Sequence, residues 1–242
     1  MAALVPLPNH DEEFQRLLTF IKSGLSAIRL KWRIYRALFA TNKERVELLN
    51  TVSGTTALVI QDALYHEVIL HLCRLADPPE TGKNTNNTVS RLCRLVAPSE
   101  ASDHLNALVN RLKIECEPLR NQRNWFIAHA DRDAIFDKQS FGGVSRLQIE
   151  ASIDQLSALV TYVAMAAQDT QFLSAPLNST AMDEVNLLRT LYYGRIKIDE
   201  IQKEAISLSS APADPRSLPP EAELFDELRT RPAWLNYRPS ET

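Results

Sequence analysis

The stretch that decides the fold reads DEEFQRLLTFIKSGLSAI and runs from residue 11 to residue 28. Its large apolar side chains recur at steps of three and four residues, at Phe14, Leu17, Leu18, Ile21, Leu25 and Ile28. That spacing places them on one face of an α-helix and predicts an amphipathic helix with a core-facing side. Acidic residues at 11–13 suit the positive N-terminal end of a helix, with Asn9 or Asp11 as its cap. We expect this helix to run to about Ala40.

Similar spacing recurs through most of the chain and predicts an all-α protein. Only 6 of the 242 residues are glycine, which favours long helices over many turns. Further helices are predicted at residues 42–76, 88–96, 99–130, 152–167 and 180–208, with Pro118 kinking or dividing the third of these. Thr41 or Asn42, and later Ser99, are suitable caps. We expect a loose N-terminal arm at 1–9, one helical domain at 10–208, and a proline-rich linker with a C-terminal tail at 209–242.

Composition narrows the classes of function. A formal net charge of −3 gives no overall attraction to nucleic acid or to an anionic membrane, so a polyanion site requires a local basic patch. Three cysteines without a close pair suit a reducing cytoplasm, and no apolar run approaches the ~20 residues of a membrane span. The first nine residues lack the basic region of a secretory signal. We therefore expect a soluble, cytoplasmic protein with no membrane partner.

Residues 28–36 admit both a functional and a purely structural interpretation. They interleave four cations with Trp32 and Tyr35, a pattern that suits RNA through phosphate contacts and base stacking. The same pattern is typical of a buried apolar stripe with a solvated flank, which we favour.

Two histidines in the second helix raise the question of a metal site. Asp62 and His66 share one helical face, as do Glu67 and His71, because each pair is four residues apart. At about 100° per residue the two pairs lie about 140° apart around the helix, so they do not converge on one metal ion. We favour histidines that are hydrogen-bonded within the fold, and expect no metal.

The segment with the most chemistry reads RNQRNWFIAHAD, from Arg120 to Asp131. A guanidinium neutralises a phosphate oxygen and an imidazole moves a proton near neutral pH, so Arg123 and His129 together suit phosphate chemistry. In an ideal helix these two residues lie about 120° apart and ~9 Å apart along the axis. They can line one cleft if the helix ends or distorts between them, or if a second copy of the chain faces the first. We favour the second arrangement, in which one copy supplies half a site.

The run from Arg123 to His129 resembles the signature of the HEPN superfamily (higher eukaryotes and prokaryotes nucleotide-binding domain). That signature is an arginine followed after four to six residues by a histidine, often with a polar residue directly after the arginine. Asn124 fills this last position.

Residues 61–95 are similar to the AbiU-type abortive-infection branch of that superfamily. The similarity rests on Asp62, on the run from Arg74 to Pro78 with its Asp77, and on the asparagine-rich loop that leads into a short helix. Asp62, Arg74 and Asp77 are therefore predicted to be supporting residues of the site. The whole resemblance extends over about residues 10–200.

The resemblance implies an up-and-down bundle of long antiparallel helices that forms a homodimer. In active members it implies a metal-independent endoribonuclease that needs no cofactor and acts on RNA. His129 would shuttle the proton of the ribose 2′-OH or of the leaving oxygen. Arg123 would stabilise the charged phosphorane, and Asn124 would position the scissile phosphate.

Nearby cations could give an electrostatic track for RNA, although Glu115, Glu117 and Asp131 dilute it. These cations are Arg111, Lys113, Arg120 and Arg132. An endoribonuclease of this branch would act in phage defence or in toxin–antitoxin-type growth control, with an antitoxin or regulatory protein as a partner.

A non-catalytic alternative stays open. Arg123 can pair with Glu117 or Asp131, while His129 bonds a backbone carbonyl at a helix end, where a cation is favoured. The chain would then be a HEPN module that binds nucleotide, RNA or a protein partner.

Overall fold

The computed structural model describes residues 3–124, 143–172 and 183–209. In this part of the chain the regular structure consists of seven helices and one hairpin of two short strands, which confirms the all-α prediction. The elements are α1 (Asp11–Phe39), α2 (Lys43–Ala76), β1 (Glu80–Thr81), β2 (Asn84–Thr85), α3 (Val89–Arg94), α4 (Glu100–Glu115), α5 (Glu117–Gln122), α6 (Arg146–Gln168) and α7 (Asp183–Ser209). None of the helices described is both long and apolar enough to cross a membrane.

By its internal contacts the chain divides into two compact units. The first comprises Met1–Thr41 and Thr56–Thr180, and the second comprises Asn42–Thr55 and Ala181–Thr242. This boundary follows a break in α2, where Ser53 has non-helical backbone angles (φ −164°, ψ 73°). Serine, glycine and threonine at 53–56 are weak helix formers, which explains why the predicted continuous helix is interrupted here. The predicted division at residues 9 and 208 stays a prediction.

The core of the first unit is built on the apolar face of α1. The predicted core positions are at most 4% exposed: Phe14, Leu17, Leu18, Ile21, Leu25 and Ile28. Burying one such side chain contributes about 1.5–3 kcal/mol, so this face alone is a large share of the driving force. Both α1 and α4 pack along α6. Gly24 lets α1 approach α2 closely, because a Cβ at this position would lie 3.1 Å from Leu75 Cδ1.

The N-terminal residues are packed against the first unit, and the expectation of a loose arm is wrong. Leu4 is buried, and its amide donates to the carbonyl of Ala166 (2.9 Å). Two further main-chain bonds join this segment to the end of α3 and the loop after it, Leu7 N to Leu95 O and Ala97 N to Val5 O, both 2.8 Å. Satisfied backbone groups and a buried leucine together fix the segment.

Several helix ends follow the predicted local chemistry. Asn42 Oδ1 accepts from the amide of Arg45 (3.1 Å) at the start of α2. Ser99 forms a reciprocal capping box with Ser102 at the start of α4. The predicted helix over 99–130 is divided at Pro118, since α4 ends at residue 115 and α5 begins at 117 with the proline in its first turn.

One predicted helix start and one predicted cap are wrong. The helix α6 begins at residue 146 rather than 152, because Ser145 and Gln148 form a capping box upstream of the expected start. At α1 the cap position belongs to His10, which makes no side-chain cap bond, and neither Asn9 nor Asp11 takes that role. Asn9 instead has a positive φ of 67°, a conformation that asparagine adopts more readily than most residues.

The basic and aromatic segment of α1 is a buried stripe with paired flanks. Trp32 and Tyr35 are both buried, and their rings stack at 4.9 Å with 8° between the planes. Two arginines of this segment pair with carboxylates of α6: Arg29 with Asp154 (3.7 Å) and Arg36 with Glu150 (2.9 Å). The aromatic rings therefore serve the core, as the structural interpretation predicted.

Candidate nucleic-acid site

Arg123 lies at the point where α5 ends, and the chain continues through Arg123 and Asn124 as a π-helical turn. Its Nη1 donates to Asp77 Oδ2 (2.7 Å), and its Nε donates to Asn124 Oδ1 (3.1 Å). The side chains of Arg123 and Asp77 are only 19% and 23% exposed, so water and salt screen this pair less than a surface pair. Bonds on two nitrogens hold the guanidinium in one orientation.

Asp77 follows directly after α2 and precedes the hairpin of β1 and β2. The side chain of Asn86 braces this hairpin, since its amide donates to Pro78 O (3.0 Å) and to Thr81 Oγ1 (2.8 Å). The loop that carries Asp77 is thus held by its own hydrogen bonds. As a result, two residues singled out by the family resemblance, Asp77 and Arg123, are in direct contact although 46 positions separate them.

A second network fixes Gln122, the residue before Arg123. The amide of Val144 donates to Gln122 Oε1 (2.8 Å). The hydroxyl of Tyr65 donates to Val144 O (2.5 Å) and lies 3.4 Å from Gln122 Oε1. Burial raises the pKa of Tyr65, so the hydroxyl stays protonated and able to donate. The sequence analysis missed this network because Tyr65, Gln122 and Val144 are far apart in the chain. The side-chain amide of Gln122, next to Arg123, is the one local sign of it.

The predicted RNA-binding cations have different environments. Arg111 is exposed and Lys113 is half-buried. Arg120 is turned toward the protein: its Nη2 donates to Lys113 O (2.8 Å), and its buried Nε has no acceptor among the described residues. Arg74, one of the supporting residues, is exposed near the end of α2. Of this group, the described structure exposes Arg74 and Arg111 most fully to solvent.

Two buried thiols lie near charges of the candidate site: Cys73 near Arg123 and Asp77, and Cys116 near Arg120 and Asp77. Burial raises the pKa of Cys73 to about 12, although the positive charge of Arg123 acts in the opposite direction. Burial also raises the pKa of Cys116 to about 11. All three cysteines of the chain are free. At neutral pH Cys73 and Cys116 are neutral core groups, which rules them out as nucleophiles of the site.

The histidines of α2 face different surroundings. Asp62 and His66 line an open cleft, whereas Glu67 pairs with Lys31 Nζ (2.7 Å). His71 is half-buried, and burial lowers its pKa, with Lys31 adding to the effect. Within the part of the chain that the structure describes, no group of three His, Cys, Asp or Glu side chains could hold a metal ion.

Some predicted site residues fall outside the described ranges, namely His129 and Arg132. Their roles stay predictions. The non-catalytic alternative pairs Arg123 with Glu117 or with Asp131, and Asp131 also lies outside these ranges. Among the described residues the ion-pair partner of Arg123 is Asp77.

The all-α fold and the sequence motif that begins at Arg123, directly after α5, are those of a HEPN-type protein. The family model HEPN_AbiU2 (AbiU2) matches residues 11–188, which include α1 to α6 and the pair of Asp77 with Arg123. The chain belongs to this AbiU2 family. Comparisons with curated proteins and with solved structures gave no match.

Proposed function

We propose that the protein is a metal-independent endoribonuclease with Arg123, Asn124 and His129 as its catalytic residues. The observation that carries the proposal is the oriented guanidinium of Arg123, which is held by the part-buried Asp77 and by the exposed Asn124. A preorganised cation stabilises developing negative charge without reorganisation at the moment of reaction. Membership of the AbiU2 family supports the same chemistry, because HEPN proteins are often ribonucleases of abortive infection.

The proposed reaction is an internal transfer of the phosphate ester. His129 takes the proton of the ribose 2′-OH, and the 2′-oxygen bonds to phosphorus while the bond from phosphorus to the 5′-oxygen breaks. The imidazolium returns its proton to the 5′-oxygen, so the products are a 2′,3′-cyclic phosphate and a 5′-hydroxyl. Arg123 neutralises the phosphorane oxygens, and Asn124 donates from its side-chain amide to the scissile phosphate.

Cleavage of single-stranded RNA in the presence of EDTA tests the proposal. We expect 2′,3′-cyclic phosphate ends from the unmodified protein and a loss of at least about 100-fold in His129→Ala and Arg123→Ala. Matched controls are His10→Ala and Arg16→Ala, which remove a histidine paired with Glu13 and an arginine paired with Glu12. Full cleavage by His129→Ala would remove the catalytic assignment.

We also propose that the active form is a homodimer with composite sites, since Arg123 and His129 diverge on an ideal helix. Mixing inactive Arg123→Ala chains with inactive His129→Ala chains tests this arrangement. If the two residues act across a two-fold axis, mixed dimers recover one intact site and part of the activity. If the mixture cleaves RNA no faster than either variant alone, the two residues do not act across a two-fold axis.

The pairing of Arg123 with Asp77 favours one other candidate function. A carboxylate at 2.7 Å already neutralises much of the arginine charge, as expected of a structural pair in a non-catalytic module that binds nucleotide, RNA or a partner protein. Such a module would bind RNA without cleaving it, and His129→Ala would leave its affinity unchanged. The cleavage assay in EDTA separates the two functions.

In the cell, we propose a role in phage defence or in toxin–antitoxin-type growth control, in the cytoplasm and under the restraint of an antitoxin or regulatory protein. Induced expression then arrests growth, and His129→Ala removes the arrest at equal protein level. Growth arrest by both forms would separate toxicity from RNA cleavage.

A further inference from the structure

A polar cleft lies next to the network that fixes Gln122. Its volume is about 500 Å³, and its lining includes Tyr35, Asp62, Tyr65, His66, Ser145 and Arg146. We propose that this cleft is a nucleobase subsite that reads one base of a single-stranded RNA, with guanine preferred. The inference takes RNA as the ligand and in that respect rests on the proposed function.

The cleft has the size and the groups that a base requires. Ligand pockets of proteins are commonly about 300–1,000 Å³. Unstacked bases of single-stranded RNA are bound by aromatic rings, by arginine, and by polar groups at their Watson–Crick edges. Here the rings of Tyr35 and Tyr65 lie 5.9 Å apart at 40°, and His66 meets Tyr65 edge-on at 5.8 Å. Because Tyr35 is only 8% exposed, the aromatic surface open to a base comes mainly from Tyr65 and His66, while Asp62 and Arg146 supply charge.

Asp62 selects the kind of base. An ionised carboxylate is a pure acceptor with two oxygens. Guanine presents two adjacent donors on its Watson–Crick edge, N1–H and N2–H, whereas adenine presents one donor beside an acceptor. Asp62 is exposed, and among the described residues no hydrogen bond or ion pair engages its side chain. His66 lies one helical turn further on the same face and can add one hydrogen bond.

The position of the cleft sets which nucleotide is read. Tyr65 belongs both to the cleft and to the network around Gln122, so the cleft is adjacent to the segment that carries Arg123. His66 and Asp77 are eleven residues apart on and just beyond α2, or about 16 Å along the helix. Asp77 holds Arg123, so this distance also separates the cleft from the candidate catalytic arginine. We therefore expect the base in the cleft to belong to a neighbour of the nucleotide that is cleaved. Arg146 lines the cleft and donates through Nη1 to Ala40 O (3.4 Å), which leaves other guanidinium N–H groups to bind a phosphate of that nucleotide.

Binding measured on uncleavable RNA tests the subsite without relying on catalysis. The probes are single-stranded oligonucleotides with 2′-O-methyl riboses, uniform in adenine except for one position that carries guanine, inosine or adenine. We expect the guanine probe to bind roughly tenfold more tightly than the adenine probe, since one bidentate pair discriminates by about that factor. Inosine keeps N1–H but lacks the N2 amino group, so its affinity should lie between the other two.

Asp62→Asn is the decisive variant, because its amide replaces one acceptor by a donor while the exposed position leaves the fold intact. We expect it to bind guanine and adenine probes equally. Asp103→Asn is the control: it removes one exposed carboxylate of α4 and should leave the preference unchanged. An unmodified protein that binds the probes equally, or an Asp62→Asn variant that keeps the preference, overturns the inference. If the unmodified protein prefers the guanine probe but cleaves no RNA, the proposed nuclease function is wrong and the proposed base subsite is still supported.

Discussion

Arg123 Nη1 and Asp77 Oδ2 meet at 2.7 Å although 46 positions separate the two residues. The pair joins the end of α5 to the loop after α2, so the position of the candidate catalytic arginine depends on a second, distant segment. A scissile phosphate must share this guanidinium with a carboxylate. Asp77 thus orients the guanidinium of Arg123 but reduces the net positive charge at the site, and substitutions of Asp77 can measure both effects.

The first prediction concerns Asp77→Asn. The variant keeps the size of the side chain but loses the charge that orients Arg123, so we expect RNA cleavage to fall by about 10- to 100-fold through misplacement of the arginine. The affinity for RNA should hold or rise, because a negative charge has been removed. Stability should fall by about 1.5–3 kcal/mol, measured by urea unfolding.

Glu80→Gln is the control for that experiment. Glu80 begins β1, three residues after Asp77, and pairs with Arg94, but both side chains are more than half exposed. Such a surface pair contributes about 0–1 kcal/mol, and neither cleavage nor stability should change measurably. Equal effects of the two substitutions would show that Asp77 has no special relation to the site.

The second prediction concerns the hydroxyl of Tyr65. Tyr65→Phe removes the bond to Val144 O and loosens Gln122 beside Arg123. We expect a loss of about 1–2 kcal/mol in stability and a clear loss of RNA cleavage. Tyr162→Phe is a matched control, since that hydroxyl also donates to a backbone carbonyl, Ala101 O at 2.9 Å. It should lower stability alone, and a similar fall in cleavage for both variants would contradict a role for the Tyr65 network.

The third prediction contrasts two helical glycines. Gly24→Ala places a Cβ 3.1 Å from Leu75 Cδ1, and Leu75 is too deeply buried to move aside, so we expect a net loss of roughly 1 kcal/mol. Gly194→Ala in α7 meets nothing within 4 Å and should stabilise its helix by up to about 1 kcal/mol through helix propensity. Thermal unfolding followed by circular dichroism should shift in opposite directions. Shifts of the same sign would contradict the close approach of α1 to α2.

The fourth prediction follows from the buried thiols. Free thiols in the unfolded chain ionise near pH 9, whereas burial raises the pKa of Cys73 to about 12 and that of Cys116 to about 11. The unfolded state therefore releases protons first, and stability should fall as the pH rises from about 9 toward 11–12. Urea unfolding at pH 8 and pH 10 measures the difference. Cys73→Ala should show a weaker dependence on pH, and an unchanged dependence would locate the titrating groups elsewhere.

Much of the fold can be predicted from local patterns. The apolar spacing of α1 predicts its buried face, the caps at Asn42 and Ser99 depend on neighbouring residues, and Pro118 divides a helix through its own ring and missing N–H. The docking of residues 4–7 could not be predicted in this way. It depends on main-chain bonds to Leu95, Ala97 and Ala166, which no local pattern contains. The break at Ser53 depends on a few weak helix formers whose effect the surrounding apolar pattern concealed.

The residues of the candidate site could be predicted from the sequence, but their contacts could not. Sequence patterns single out Arg123, Asn124 and Asp77 separately, and the resemblance to HEPN proteins gives them a common purpose. Their contact depends on how α2 and α5 meet, which is a tertiary property. The environment of Arg120 also depends on the tertiary structure. The sequence alone assigns this cation to RNA binding, but its guanidinium donates to Lys113 O and so faces the protein.

The packed N-terminal segment shows that the boundary of a family and the boundary of a folding unit need not coincide. The family match begins at residue 11, yet Leu4 is 3% exposed within the first unit. A chain trimmed to residues 11–188 would lose that buried leucine and leave Leu95, Ala97 and Ala166 without their main-chain partners. Three orphaned backbone groups and a vacated apolar site would weaken such a fragment by several kcal/mol, roughly 1–3 for each group. Fragments intended for purification or crystallisation should therefore keep residues 4–10.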